Sequence, residues 1–418
     1  MDRDMGDRAL VTKLHRRLGF GLAAGQLDAA LARGVAAEVD RLTDPDRTGV
    51  PAAPDPWRDG ELGFERSENV ARVNTAIAGW LDRMLTTPRP GEERLVWFWH
   101  GHFVSSAGKV RAALTMVNQI RTFQRLGTGA FDRLVRAVTV DPAMLDYLDG
   151  RTSTAKATNE NYSRELLELF TLGRGNYTEA DVANGAKALT GWTVTIADGN
   201  AASFVKARHD PTVRAYLGAT ASDVDSVVAR VVAHPALPGF VAGEWCRAVL
   251  GPEVEQAAVD RVAEAYRASG LEGRTLVRAV AAELLAGTDG GPIVLEPVRW
   301  LVAAQRATGA TLAPAVRLGL LRSMGQIPLR PPNVSGWPDG DAWLDTAVVV
   351  GRFNAAVALA GATPRTSAAL QAADADALAR ALGLPGSFGE LTRRQLERSA
   401  GAAERLTLAL ASPEFLLA

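Results

Sequence analysis

An all-α fold is predicted for this 418-residue chain, and three observations predict it. Ala, Leu, Arg and Glu recur at helical spacing almost everywhere, strand signals are scarce, and helix start and stop signals flank the periodic segments. The expected architecture is a large multi-helix bundle with long irregular loops and at most a short β-hairpin. It forms one helical domain over residues 1–418, with 8–195 and 215–418 as candidate sub-lobes.

Taken in chain order, Gln26 to Arg33 is the first clearly periodic segment, and Thr48 to Gly63, rich in Pro, Gly and Asp, is a loop. Leu95-Val96-Trp97-Phe98-Trp99 is strongly apolar and runs into His100-Gly101-His102-Phe103. Gly127 follows a periodic segment and stops it, while Asp141-Pro142 puts a capping side chain before a proline at the first helical position. Residues 158–173 form the next helix, stopped by Gly173, and Thr178-Glu179-Ala180-Asp181 resembles a capping box. Ile196 to Pro211 is irregular and is the candidate place for a hairpin. Gly270 ends another periodic segment and Thr275 to Leu285 is a further helix, whereas Gly325 to Gly340 is a proline-rich loop carrying Trp337, with Trp343 just beyond. That loop either lines a site or is anchored on the core by its two tryptophans. Ser412-Pro413-Glu414 starts a last helix.

Composition excludes several classes. With 47% hydrophobic residues the chain can bury a large core, and 46 basic against 47 acidic residues leave no nucleic-acid footprint. The single cysteine, Cys246, reads as a small buried hydrophobe on a helix, which rules out a disulfide framework and a cysteine-based zinc site. No run reaches the roughly 18 apolar residues that span a bilayer, and Met1 to Arg8 is polar, so a soluble, cytoplasmic protein without membrane contact is expected. A serine-nucleophile elbow, a phosphate-binding loop, a dinucleotide fingerprint and a zinc-protease helix are all missing from the sequence.

Three polar clusters carry the candidate chemistry. The densest is Asn159-Glu160-Asn161-Tyr162-Ser163-Arg164-Glu165-Leu166-Leu167-Glu168. At about 100° per residue, with Glu160 at zero, Arg164 falls near 40°, Glu168 near 80° and Glu165 near 140°, so the carboxylates share one side. Such a side is either a surface ladder of i,i+4 ion pairs or a metal-holding face inside a bundle. His100 and His102, two residues apart, diverge by about 200° on an unbroken helix and can serve one metal only if Gly101 breaks it; one of them is otherwise a core histidine. His209-Asp210 lies on a loop before Pro211, where Asp210 can orient His209 or be part of a simple turn. His15, in a basic run with Lys13, Arg16 and Arg17, and His234, before Pro235, are weaker candidates.

The chain resembles a large bacterial family catalogued as domain of unknown function eighteen hundred. The resemblance runs through Arg16-Arg17-Leu18-Gly19-Phe20-Gly21, Phe98-Trp99-His100-Gly101-His102-Phe103, residues 159–173, Tyr177 to Val182 and Ala188 to Trp192. It continues in His209-Asp210, Pro331-Pro332-Asn333-Val334-Ser335-Gly336-Trp337-Pro338 and Ser412 to Phe415. It implies a shared site at the three clusters and a partner resembling the alkaline-phosphatase and sulfatase superfamily; many relatives look exported. The chain departs from the family pattern in lacking an export signal and in having Thr212 and Arg214 where relatives usually show glycine and lysine.

The function expected from these residues is that of a metal-dependent enzyme, hydrolytic or oxidative. His100, His102, Glu165, Glu168 and His209 supply ligands to iron, manganese or zinc, Glu160, Arg164 and Asp210 stand behind them, and the substrate is an unspecified small molecule or polymer. The alternative is a non-catalytic helical partner protein whose polar motifs form buried ion-pair networks.

Overall fold

The computed structural model describes residues 2–63, 69–195, 201–365, 367–372 and 374–418. Helices dominate: 24 α-helices occur among the described residues, against two small two-stranded antiparallel sheets. The local signals act as expected. Asp141 accepts the Met144 amide, Ser412 accepts the Phe415 amide, and Thr178 and Asp181 form a reciprocal capping box. Asn159 accepts the Asn161 amide at 2.8 Å, two residues before the helix that starts at Asn161.

The sheets number one more than anticipated. Trp192–Thr195 pairs with Ala201–Phe204, the connecting residues 196–200 of the irregular stretch lying outside the described residues. Arg214–Tyr216 pairs with Ala219–Ala221 through Leu217 and Gly218, at φ 46° and 75°. Positive φ at both central positions is the primed turn of a tight hairpin. A leucine is a poor candidate for it from sequence, and here Asp181 supports the conformation by accepting the Leu217 amide at 2.8 Å.

Two helices run through the centre. Pro297–Thr308 is buried along its entire length, and Pro90–His102 along most of it. Gly91 lets the second approach Val35–Thr43 closely, since a Cβ there would sit 1.9 Å from the Leu42 carbonyl oxygen. Around them, Asp2–Arg17 packs on Leu237–Leu250 and Gly273–Leu285, and Asn69–Thr86 packs on Pro297–Thr308, so helices from both halves of the chain share one large apolar cluster. Cys246 lies in that cluster, fully buried, and burial pushes its thiol up to about 12, which makes it inert.

Buried arginines join the helices by a common device. The last carbonyls of a helix have no partner within it and form the negative end of its dipole. Arg17 reaches the Val249 and Leu250 carbonyls at 3.3 and 2.6 Å, Arg306 those of Met84 and Leu85 at 3.4 and 2.8 Å, and Arg299 that of Arg16 at 2.7 Å. Each guanidinium thus caps the C-terminal end of a neighbouring helix with its fork of donors. On the outside, Thr346–Ala362 leaves Val349, Val350, Phe353 and Val357 exposed along one side. Among the described residues no single helix is long and apolar enough to cross a membrane.

Candidate functional site

The helix Pro90–His102 passes through Gly101 without a break, so the rings of His100 and His102 leave it in different directions. His100 is fully buried among Trp80, Trp97 and Trp337, with ring centroids 5.1, 5.9 and 5.3 Å away. Its Nε2 accepts the Leu329 amide at 3.2 Å, and burial pushes its pKa down to about 3. His102 stacks on Phe98 and donates from Nε2 to the Phe170 carbonyl at 2.8 Å; burial lowers its pKa as well. Both are neutral imidazoles held by backbone and aromatic neighbours.

The carboxylate-rich segment is α-helical over Asn161–Glu165 and then widens to a π-helix over Leu166–Thr171. Arg164 donates to both oxygens of Glu179 at 2.8 Å and lies 3.5 Å from Glu160, in an ion-pair ladder at the surface. Glu168 is turned by the wider helix toward Arg174, at 2.7 Å, and Tyr177, whose hydroxyl donates at 2.9 Å. These contacts hold its carboxyl below the ordinary value, the Arg174 hydrogen bond most of all. Glu165 is half-buried and its carboxyl is raised by that burial and by Glu168. His209 donates from Nδ1 to the Thr190 carbonyl at 3.0 Å and packs against Phe204. Asp210 accepts from the Thr212 amide at 3.0 Å and from Arg214 at 2.8 Å, and its carboxyl is lowered to about 2 by those two residues. Arg214, the departure from the family pattern, therefore closes an ion pair with Asp210.

The proposed ligands consequently occupy separate places. Among the described residues no group of three or more His, Cys, Asp or Glu side chains is arranged to hold a metal ion. The ion pairs of residues 160–179 lie at the surface, with the Glu179 side chain 77% exposed, whereas the alternative reading expected buried networks there.

Two of the motif blocks, residues 98–103 and 331–338, meet in a cleft of about 330 Å³. One wall is the helix Pro90–His102, which presents Arg94, Trp97, Phe98, Gly101 and His102, a stripe at the three- and four-residue spacing of one helix face. A second is Leu237–Leu250, through Glu244, Arg247 and Ala248. Glu296 and Arg299 come from the start of Pro297–Thr308, and the proline-rich loop adds Ser335, Trp337, Pro338 and Asp339, with Trp343 behind them. Trp343 is buried and Trp337 half-buried, so the loop both anchors on the core and lines the cleft.

Geometry within the cleft is specific. Trp337 stacks on Trp97 with centroids 5.2 Å apart and planes 18° from parallel. The Trp97 indole donates to Glu296 Oε1 at 2.9 Å, and Arg299 lies 3.5 Å from Glu296 Oε2. Glu244 is paired with Arg247. Asp339 is accessible at the cleft mouth and has no hydrogen-bond donor on its carboxyl among the described residues; the surrounding walls and then the charges of Glu296 and Glu244 raise it above the ordinary carboxylate value. A larger hollow of about 410 Å³, between Arg17, Leu384 and Ala418, lacks aromatic walls, and its Arg17 is already engaged with Asp289.

Arg94, Glu244, Arg247, Glu296, Arg299 and Asp339 were not singled out by the sequence reading. The one signal available was the stripe on residues 94–102, which reads equally as a core face.

A family model described as protein of unknown function, DUF1800, matches residues 13–417. No curated protein and no solved structure matches the chain.

Proposed function

The chain belongs to the DUF1800 family, whose description carries no activity, and from the geometry of the cleft we propose that it is an enzyme acting by general acid–base catalysis on a small organic molecule bound there. Asp339 is the proton donor and Glu296 the base. The observation that carries this reading is that two carboxyl groups share one cavity with different hydrogen-bond partners. Glu296 receives an indole N–H and faces a guanidinium. Asp339 receives no such donor among the described residues, and burial, then the charges of Glu296 and Glu244, raise its carboxyl against a smaller lowering by Arg247 and Arg94. A raised carboxyl beside a second carboxyl held by hydrogen-bond donors is an ordinary means of dividing acid and base roles. The reaction class is hydrolysis at an oxygen leaving group. Glu296 takes a proton from water as its oxygen attacks, and Asp339 gives a proton to the departing oxygen.

Among the described residues no donor cluster stands behind metal-dependent chemistry at His100, His102, Glu165, Glu168 and His209.

The test is turnover of a panel of p-nitrophenyl esters, glycosides and sulfates by the wild type, Asp339→Asn and Glu296→Gln. One substrate class should be hydrolysed, with kcat falling about 10²- to 10⁴-fold in each variant. The rate should also decline as pH rises through the elevated Asp339 value, because a general acid must be protonated. Turnover indifferent to both substitutions places the chemistry elsewhere.

A further inference from the structure

The charges of the cleft do not cancel pairwise. Arg247 is paired with Glu244, and Arg299 lies 3.5 Å from Glu296, which leaves Arg94 and Asp339. Among the described residues neither of these two forms an ion pair. Arg94 is therefore the cleft cation with no carboxylate in direct contact, although the charges of Glu296 and Asp339 favour its ionised form. It is only 4% exposed, yet its guanidinium makes a single hydrogen bond, to the Ala248 carbonyl at 3.2 Å, and lies 5.3 Å from the centre of the Trp245 ring. Its Nε, like that of Arg17, has no partner among the described residues. Two other buried arginines are better satisfied: Arg17 donates to four backbone carbonyls and Arg306 to three. A guanidinium offers five donors, and a buried charge is ordinarily paired. A second donor in the cleft, the Trp337 indole nitrogen, is also buried and unpartnered.

We propose that the cleft recognises an oxyanion on its ligand, a carboxylate or a sulfate or phosphate ester attached to a ring, and that Arg94 is the residue that binds it. The inference rests on the reading of this cleft as the functional site and names its substrate class as acidic. Arginine suits the task because its planar fork matches two oxygens at once. Burial and the neighbouring Arg299 pull the Arg94 guanidinium down to about 9, a destabilisation of its charge that a bound anion relieves.

The experiment is titration of the full chain with benzoate, phenyl sulfate, phenyl phosphate and neutral benzyl alcohol at constant ionic strength, read by tryptophan fluorescence and calorimetry. At least one anion should bind tenfold or more tightly than benzyl alcohol, and the tightest of the three identifies the oxyanion. Arg94→Gln should abolish that preference while benzyl alcohol still binds, Arg94→Lys should retain part of it, and Arg247→Gln at the rim should keep most of it. Retained benzyl alcohol binding also reports that Arg94→Gln is folded. Equal affinity for anion and alcohol in the wild type, or a preference that survives Arg94→Gln, overturns the proposal. Absence of binding by all four probes overturns both it and the reading of the cleft. Loss of turnover in Asp339→Asn with the anion preference intact separates the two claims.

Discussion

At the scale of single residues, His100 shows how an aromatic surrounding decides what an imidazole does. Its pKa of about 3 against an ordinary 6.5 means that between those values the unfolded chain binds a proton that the folded chain refuses. The stability associated with neutral His100 is fully present above pH 6.5 and is lost on acidification, at about 1.4 kcal/mol per pH unit down to about pH 3. His100→Gln keeps an acceptor for the Leu329 amide and removes the titration. The difference in unfolding free energy between wild type and variant, from urea titrations at pH 4, 5, 6 and 7, should rise with pH at that slope and level off near 7. A difference independent of pH would mean that His100 is not held neutral. The same residue explains what the sequence concealed. Two histidines flanking a glycine read either as ligands or, for one of them, as a core histidine; after Leu95-Val96-Trp97-Phe98-Trp99 His100 meets rings first, and among the described residues its polar contact is a backbone amide from a distant loop.

At the scale of elements, helices and their caps were legible because they are local. Asp141, Thr178 and Ser412 act on amides within three residues of themselves. The rotation of the 158–173 segment was not, since an even 100° per residue ignores the π-helical turn at Leu166–Thr171 that sends Glu168 to Tyr177. Glycine roles were also inverted. Gly101, the expected break, lies in continuous helix with open space at its Cβ position, while Gly336 holds φ 84° with the Gly101 carbonyl oxygen only 2.8 Å from where a Cβ would be. Gly101→Ala should therefore be neutral or stabilising by up to about 1 kcal/mol. Gly336→Ala adds left-handed strain of about 1 kcal/mol or more to that clash, and lifts the loop from the helix. Thermal melts should separate the two. In Gly336→Ala alone the near-ultraviolet circular dichroism of the Trp97–Trp337 stack should diminish, together with ligand affinity.

At the scale of the whole molecule, the cleft depends on segments that the chain brings together from its two extremes, which is why no local pattern announced it. Glu296 follows a stretch whose backbone pairs with the last residues: the Ile293 and Ala418 amides and carbonyls exchange bonds at 3.1 and 2.9 Å, and the Leu295 amide donates to Leu416 at 3.0 Å. Arg17, at the end of the first helix, fastens that arrangement by donating to Gly291 at 3.1 Å and Ala418 at 2.9 Å while capping Leu237–Leu250. Arg17→Gln leaves several buried carbonyls without donors, each costing about 1 to 3 kcal/mol, so a loss of about 3 kcal/mol or more is expected. Because helices of residues 8–195 and 215–418 are packed into one apolar cluster, the loss should move a single urea transition to lower midpoint with unchanged steepness. Ligand affinity at the cleft should fall with it, through the displaced Glu296. Two resolved transitions, of which only the later-chain one shifts, would show instead that the sub-lobes unfold independently and that Arg17 serves one of them alone.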